Sequence, residues 1–285
     1  MNAFLLNQIR TRKMDILILC NQNDTIALAV YEELSNSQKN ICLVTAEQLI
    51  YAPYWKHVLN AKGKGHTEII LQNGLAIRSG ELKVVWSRIR FFNMAHFINE
   101  TDRQYAQTEM FALYFSFLKS INAALIDPVE TNDLSMGEDN LLHLKHQAIK
   151  AGLPVLDSHY TSSPKWQSTK GLVPVTIQRN TASSFQKKAP YLVWQNQPTL
   201  FTEASSGIIK RWIVGTDIIE GQMTSYKTAL KKLSKNLKKA FLEVHFTNTS
   251  TGYKLSVIHT YPVWAPQPVT RAVANLLIKK TGRST

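Results

Sequence analysis

The run Met14-Asp15-Ile16-Leu17-Ile18-Leu19-Cys20 is apolar at every position but one. A strand with one wet face alternates, so an unbroken run needs apolar cover on both faces, as a central parallel strand has. The polar turn Asn21-Gln22-Asn23-Asp24 follows. Ile26, Ala29, Val30 and Leu34 then fall on one stripe of a helix over Thr25 to Leu34. Ile41-Cys42-Leu43-Val44 reads as a second buried strand. The chain therefore begins β-α-β, a parallel pair joined by a right-handed crossover. No glycine-rich loop joins the first strand to its helix, which argues against a Rossmann dinucleotide site.

Past this unit the pattern changes. Asn73-Gly74 between the short apolar runs Glu68–Gln72 and Leu75–Arg78 predicts a hairpin. Leu82 to Arg90 reads as a strand with Arg88 and Arg90 on the face of Trp86. A long helix is predicted over 99–121, with Phe111, Phe115 and Leu118 as its stripe and Tyr114 and Ile121 beside it. A helix over Asn140–Ala151 stops at Gly152. The second half then reads as short strands: Leu172–Ile177, Tyr191–Trp194, Thr199–Glu203, Ile208–Val214 and Asp217–Met223. An amphipathic helix spans Tyr226–Ala240, with Leu230, Leu233 and Leu237 inward and lysines outward. A hairpin of Phe241–Thr247 and Tyr253–Thr260 and a helix over Val269–Lys280 close the chain. The expected class is α+β, an α/β piece over residues 1–125 followed by a hairpin-rich piece over 126–285.

Composition excludes several alternatives. The 285 residues are 44% apolar and 19% charged, unlike a disordered chain, a collagen or a coiled coil. Cys20 and Cys42 both lie in apolar runs and read as reduced core thiols. No apolar run reaches the roughly 18 residues of a transmembrane helix, and Met1 to Lys13 has its apolar patch before its charges, the reverse of a signal peptide. The expected location is the cytoplasm.

The net charge of +13 sits entirely in one half. Residues 1–150 carry 15 basic and 15 acidic side chains, whereas residues 151–285 carry 18 basic and 5 acidic ones. A one-sided basic region attracts polyanions: nucleic acid, an anionic membrane or an acidic polypeptide.

The order of these elements resembles the ATP-grasp peptide ligases that mature ribosomally made peptides, the graspetide or microviridin-type maturases. Such ligases begin with a small α/β domain ending in an Asn-Gly hairpin and a "vWyRR" strand, here Gln72-Asn73-Gly74-Leu75 and Val85-Trp86-Ser87-Arg88-Ile89-Arg90. A long helix, here containing Glu109, and an "iNp" turn, here Ile126-Asp127-Pro128, come next. The family's "K..QL..A...GlpvP.T" helix corresponds to Asn140 through Ala148 followed by Gly152-Leu153-Pro154-Val155. Its "ifqE" and "R..viGd" segments correspond to Leu200-Phe201-Thr202-Glu203 and to Arg211 through Asp217. The resemblance implies an ATP-grasp-like fold with a shortened second domain.

It also implies chemistry. The family activates a carboxylate as an acyl phosphate, with lysines on the phosphates and Asp, Glu and Asn oxygens on magnesium. In this sequence the first lysine position falls near Leu141, and the second near Pro174-Val175. The Asp falls on His245, the Glu on His259 and the Asn on Tyr261. Imidazole and phenol are poor magnesium ligands. Two histidines without a third ligand are also a weak zinc set, so these three read as degenerate positions and no metal is expected. Arg211 is the family match for the arginine facing the reacting phosphate and substrate carboxylate, and is the catalytic candidate. Glu203, by the adenine hinge, and Lys165 are the candidates for nucleotide contact. Arg88, Arg90, Lys231 and Lys235 are the candidates for binding a peptide.

The sequence thus points to a degenerate ATP-grasp-like protein that binds an acidic precursor peptide, or that partners an active homologous ligase, without a cofactor. Family relatives are often dimers, so a homodimer is among the expected assemblies. The alternative is a working carboxylate–amine ligase using ATP and Mg. Phosphate contacts would then come from Lys165, Lys170, Lys187 or Lys188, and oxygen ligands from Asp217, Glu220 or Glu243. A nucleic-acid-binding protein is the third reading, without a zinc finger, RRM or helix-turn-helix signature to support it. No membrane partner is expected.

Overall fold

The computed structural model describes residues 14–62, 64–127, 141–161, 172–175, 199–203, 206–219 and 226–282. Its first unit is the expected one. Strand β1 (Ile16–Cys20), helix α1 (Thr25–Ser35) and strand β2 (Ile41–Thr45) follow in order, and β1 and β2 pair in parallel from Ile16↔Ile41 to Cys20↔Thr45. All five residues of β1 are fully buried. Leu17 and Leu19 enter one core while Ile16, Ile18 and Cys20 enter another, which is why the run cannot alternate. Burial pushes the Cys20 thiol up to about 12, as expected of an inert core cysteine.

A short helix α2 (Ala46–Ile50) starts at a capping box of Thr45 and Gln48. Strands β3 (Tyr54–Leu59), β4 (Gly65–Ile70) and β5 (Ala76–Arg78) make a small antiparallel sheet. The Asn-Gly hairpin joins β4 to β5. Gly74 takes φ of 79° there, a conformation that glycine adopts without a Cβ penalty. Strand β3 carries no sequence signal: it is half-exposed to exposed throughout, so no apolar alternation marks it, and backbone pairing with β4 holds it.

Strand β6 (Val84–Arg88) joins β1 in parallel. After helix α3 (Glu100–Ser120), β7 (Ala124–Ile126) completes a four-stranded sheet in the order β2-β1-β6-β7. Helix α3 buries Met110, Tyr114, Phe117 and Leu118, so that Leu118 and Tyr114 turn inward as expected, while Phe111 is only partly buried and Met110 and Phe117 take the remaining core positions. The helix is apolar on several sides, so its pattern does not select a face. The phenol of Tyr114 and the Ser87 hydroxyl, 2.6 Å apart, satisfy one another at the buried side.

Helix α4 (Leu141–Ala151) opens the second half. Strands β8 (Ser158–Thr161), β9 (Leu172–Val175) and β10 (Thr199–Glu203) form a three-stranded sheet, β8-β10-β9. The predicted strand over Tyr191–Trp194 lies outside the described residues. Strands β11 (Ser206–Val214) and β12 (Asp217–Ile219), helix α5 (Lys227–Leu237), and strands β13 (Phe241–Thr249) and β14 (Gly252–His259) build the last sheet, β12-β11-β13-β14. Helices α4 and α5 cover one face of it, around Leu144, Ala148, Leu230, Leu233, Leu242 and Val244.

Helix α6 (Gln267–Thr281) returns to the first sheet and packs along α1. One core therefore combines Ile18 and Trp86 with Trp212, Phe241 and Val273, crossing the boundary expected near residue 125. The Asp127 carboxylate reinforces the junction by accepting from the backbone N–H groups of Ala240 and Phe241. The architecture is α+β. No helix among the described residues is long and apolar enough to cross a membrane.

Candidate functional site

Antiparallel register decides which side chains meet, because directly paired residues share a face and a one-residue step changes it. Lys210 of β11 pairs with His245 of β13, Trp212 pairs with Glu243, and Glu243 pairs with His259 of β14. Lys210, Trp212, Glu243, His245 and His259 thus share one face of the last sheet. The His245 Nε2 lies 2.7 Å from Glu243 Oε1, and the Lys210 ammonium lies 3.3 Å from the same oxygen. The two imidazole rings meet edge to face with centroids 4.9 Å apart. Glu243 is buried to 7% side-chain exposure, whereas Lys210 keeps 46%. Burial alone would raise the Glu243 pKa, but the hydrogen bond and charge of His245, with Lys210 and His259 nearby, hold it below its ordinary value.

Arg211 faces the other way. It pairs with Val244 between Ile209 and Ile213, beneath α4 and α5, and is 2% exposed. The register puts Arg211, the catalytic candidate, on the face opposite His245, where the neighbouring cation is Lys210. Sequence reasoning passes over Lys210 because both residues lie in one short strand and only pairing fixes their faces.

Tyr261 also departs from its expected place. It does not join His245 and His259 but closes a buried cluster at the carboxyl end of β1 and β6. Asp24 caps α1 by accepting from Ala27 N–H at 3.0 Å. Its Oδ2 accepts from Arg88 Nε and from the Tyr261 phenol, each at 2.7 Å. A second Arg88 nitrogen donates to Asp24 Oδ1 at 3.1 Å and to the Pro262 carbonyl at 2.9 Å. The guanidinium carbons of Arg88 and Arg90 each lie 4.1 Å from the centre of the Tyr261 ring. Burial raises the Tyr261 pKa far above the usual phenol range, so the hydroxyl remains a donor. Arg88 and Asp24 keep only 3% and 5% side-chain exposure. Arg88 is thus corrected from a peptide contact to an internal ion pair. Arg90 remains half-buried against Tyr261.

The topology gives this cluster meaning. The chain leaves β1 toward β2 on one side and returns to β6 on the other. In open parallel sheets ligands enter the crevice at such a switch point, beyond the strand carboxyl ends. Here the segment after β14 fills it with Tyr261 and Pro262, and Val263 accepts a hydrogen bond from the Thr25 hydroxyl.

The other predicted residues scatter. Lys231 and Lys235 are exposed on the outer side of α5, across the sheet from Lys210. Glu203 ends β10, paired with Leu172. Lys165, Lys170, Lys187, Lys188 and Glu220 lie outside the described residues. Asp217 is exposed in β12 opposite Val214. Leu141 starts α4, and one turn on, the buried Lys145 donates to the Leu156 carbonyl at 3.3 Å, its pKa lowered by burial.

A divalent cation with hard oxygen ligands does not fit the shared face. Glu243 supplies the carboxylate there, and one oxygen already faces both Lys210 and His245. The neighbouring groups are imidazoles, and the third expected ligand position, Tyr261, belongs to the other cluster. Among the described residues no group of three His, Cys, Asp or Glu side chains is arranged to hold a metal ion.

This combination, an α/β unit followed by a β8–β10 sheet and a β11–β14 sheet, is the fold of the ATP-grasp ligases that act on ribosomally made peptides. The macrocyclase MdnC from Microcystis aeruginosa MRC, solved bound with precursor peptide MdnA, superposes with a TM-score of 0.73 at 15% identity, over 93% of this chain and 100% of MdnC. The macrocyclase MdnB of the same organism gives 0.71 at 15% identity, over 93% and 99%. The ATP-grasp ligase PsnB, complexed with minimal precursor, Mg and ADP, gives 0.67 at 15% identity, over 95% and 100%. No protein-family model and no curated protein sequence matches the chain.

Proposed function

We propose that this protein serves the maturation of a ribosomally made peptide as a binder of the acidic precursor or a partner of an active ligase, and not as a Mg-ATP ligase. The fold supports the setting, since solved proteins of the same fold include one bound with its precursor peptide and one holding Mg and ADP. The observation that carries the non-catalytic reading is Glu243. Among the described residues the carboxylate of the His245–His259 face is that of Glu243, bonded within the protein to Lys210 and His245, where a magnesium site needs oxygens free to coordinate. The excess of basic charge in residues 151–285 supports an acidic partner through electrostatic steering. Arg90, Lys231 and Lys235 are proposed as secondary contacts at its rim.

Two measurements test the reading. Calorimetry with ATP and Mg should give no saturable heat at concentrations where a ligase is occupied. Mass spectrometry of an Asp- and Glu-rich peptide incubated with the protein, ATP and Mg should show the peptide unchanged. Loss of one water per ring formed would establish the ligase reading instead.

A further inference from the structure

The sheet β12-β11-β13-β14 separates the charges of the second half. Residues 151–285 contain five carboxylates: Asp157, Glu203, Asp217, Glu220 and Glu243. Glu243 stands on the His245 face. Asp217 shares that side, because it pairs with Val214, while its neighbour Ile218 pairs with Ile213 and enters the core beneath α4 and α5. Glu203 ends β10 in another sheet, and Asp157 follows α4 and acts on the buried Lys145. Helices α4 and α5 cover the opposite face, and neither contains an aspartate or a glutamate. Lys150 of α4 and Lys227, Lys231, Lys232 and Lys235 of α5 are all exposed. Among the described residues none of these five ammonium groups has a carboxylate partner. Lys227, Lys231 and Lys235 recur every four residues, and Lys232 stands three before Lys235, so like charges meet along the helix. Such pairs destabilise a helix, as does a lysine in the first turn, where the dipole favours an anion. A helix that needed only to stay solvated gains by alternating lysine with glutamate at this spacing. The sequence of α5 keeps a row of one sign instead.

We propose that the outer layer of α4 and α5 is the docking surface for an acidic segment of the partner polypeptide. The lysine row repeats about every 6 Å along α5, a step that carboxylates four residues apart on a helix, or two apart on an extended chain, can match. Ile149, 60% exposed beside Lys150, adds an apolar contact on the neighbouring helix. A polypeptide is favoured over other polyanions by the residue types of the layer. Arginine forks suit phosphate and aromatic rings stack on bases, and α4 and α5 contain no arginine, phenylalanine, tyrosine or tryptophan. A membrane-surface helix turns its apolar side to lipid, whereas Leu230 and Leu233 of α5 face the sheet. This surface presupposes the reading of the protein as a binder of an acidic polypeptide, and enlarges Lys231 and Lys235 from two contacts to a layer of five lysines.

The test uses the full chain and a fluorescein-labelled synthetic peptide rich in Asp and Glu, beside the same peptide with every carboxylate replaced by its amide. Fluorescence anisotropy is recorded at low and at high salt. The acidic peptide should bind about tenfold or more tightly than the amide peptide at low salt, and lose affinity as salt rises. Lys231→Gln with Lys235→Gln should weaken the acidic peptide about tenfold. Lys279→Gln with Lys280→Gln removes the same charge from α6, which packs on the other side of the sheet, and should change binding less than about twofold. Because the α5 pair also removes like-charge contacts, its unfolding midpoint should equal or exceed that of the parent. Should that pair fail to fold, Lys150→Gln on α4 must weaken binding about threefold.

Acidic-peptide binding that the α5 pair leaves unchanged, or that the α6 pair weakens equally, overturns the assigned surface but leaves the peptide-binding reading standing. A midpoint that falls in the α5 pair while affinity holds assigns these lysines to stability and overturns the surface in the same way. Phosphatidylserine vesicles or single-stranded DNA that bind the parent more tightly than the peptide does, and lose affinity in the α5 pair, overturn the acidic polypeptide as occupant. Absence of acidic-peptide binding by the parent, or conversion of the peptide to a dehydrated product with Mg and ATP, overturns the broader reading.

Discussion

Two charged clusters in this molecule use similar groups to different ends. At the carboxyl end of the first sheet, Asp24 and Arg88 are almost wholly buried, and their polar atoms are met by partners from different segments: α1, β6 and the stretch after β14. On the last sheet, Glu243 is equally buried, but its partners reach outward, with Lys210 nearly half-exposed. A closed cluster has no capacity left for a ligand and serves to fix geometry. The open one keeps its Lys210 ammonium half in water, where it can exchange partners. Burial with full satisfaction fixes geometry, whereas partial burial leaves a charge in contact with solvent.

Breaking the closed cluster should have the largest effect. Asp24→Asn keeps a residue able to cap α1 but leaves the Arg88 charge buried beside a neutral amide. A loss of about 3–5 kcal/mol of unfolding free energy is expected in urea denaturation; a loss below about 1 kcal/mol would place the Arg88 charge in contact with solvent. Tyr261→Phe, which removes one hydroxyl from the same network and keeps the ring between the arginines, should cost about 1–2 kcal/mol by the same measurement.

Glu243→Gln sharpens the comparison through pH. The folded-state pKa of Glu243 lies below its ordinary 4.5. Its ionised form therefore stabilises the fold above 4.5, and that contribution disappears as pH falls through the folded value. The variant should be less stable than the parent by about 1 kcal/mol near neutrality, with the gap closing in acid. A gap that stays constant down the acid limb would show that the carboxylate gains nothing from its partners. The smallest effect belongs to Lys210→Gln, expected to change stability by less than about 1 kcal/mol because its ammonium is half in water.

Much of this architecture was legible in the residues. The unbroken run at Ile16–Cys20 demanded two-sided burial and received it, and Asn73-Gly74 marked its hairpin because that pair accepts the left-handed turn. The order of elements carried the resemblance to the ATP-grasp ligases, and the superposition shows that fold. Less visible were β3, which is held by backbone pairing, and the inward face of α3, where apolar residues on several sides leave the sequence pattern without a preferred face and Tyr114 turns in to meet Ser87.

The site divided in the same way. Sequence alone determined that positive charge gathers in the second half, because composition and local order are properties of the chain, whereas the place of His245 and His259 at ligand positions is what the resemblance implies. Only the tertiary structure decided that Arg211 turns beneath the helices while Lys210 meets His245, since strand register, not residue type, assigns a face. Only it, likewise, joined Asp24 to Arg88 and Tyr261: an ion pair between groups 64 residues apart, and a phenol 237 residues from its acceptor, exist through packing that no local pattern encodes.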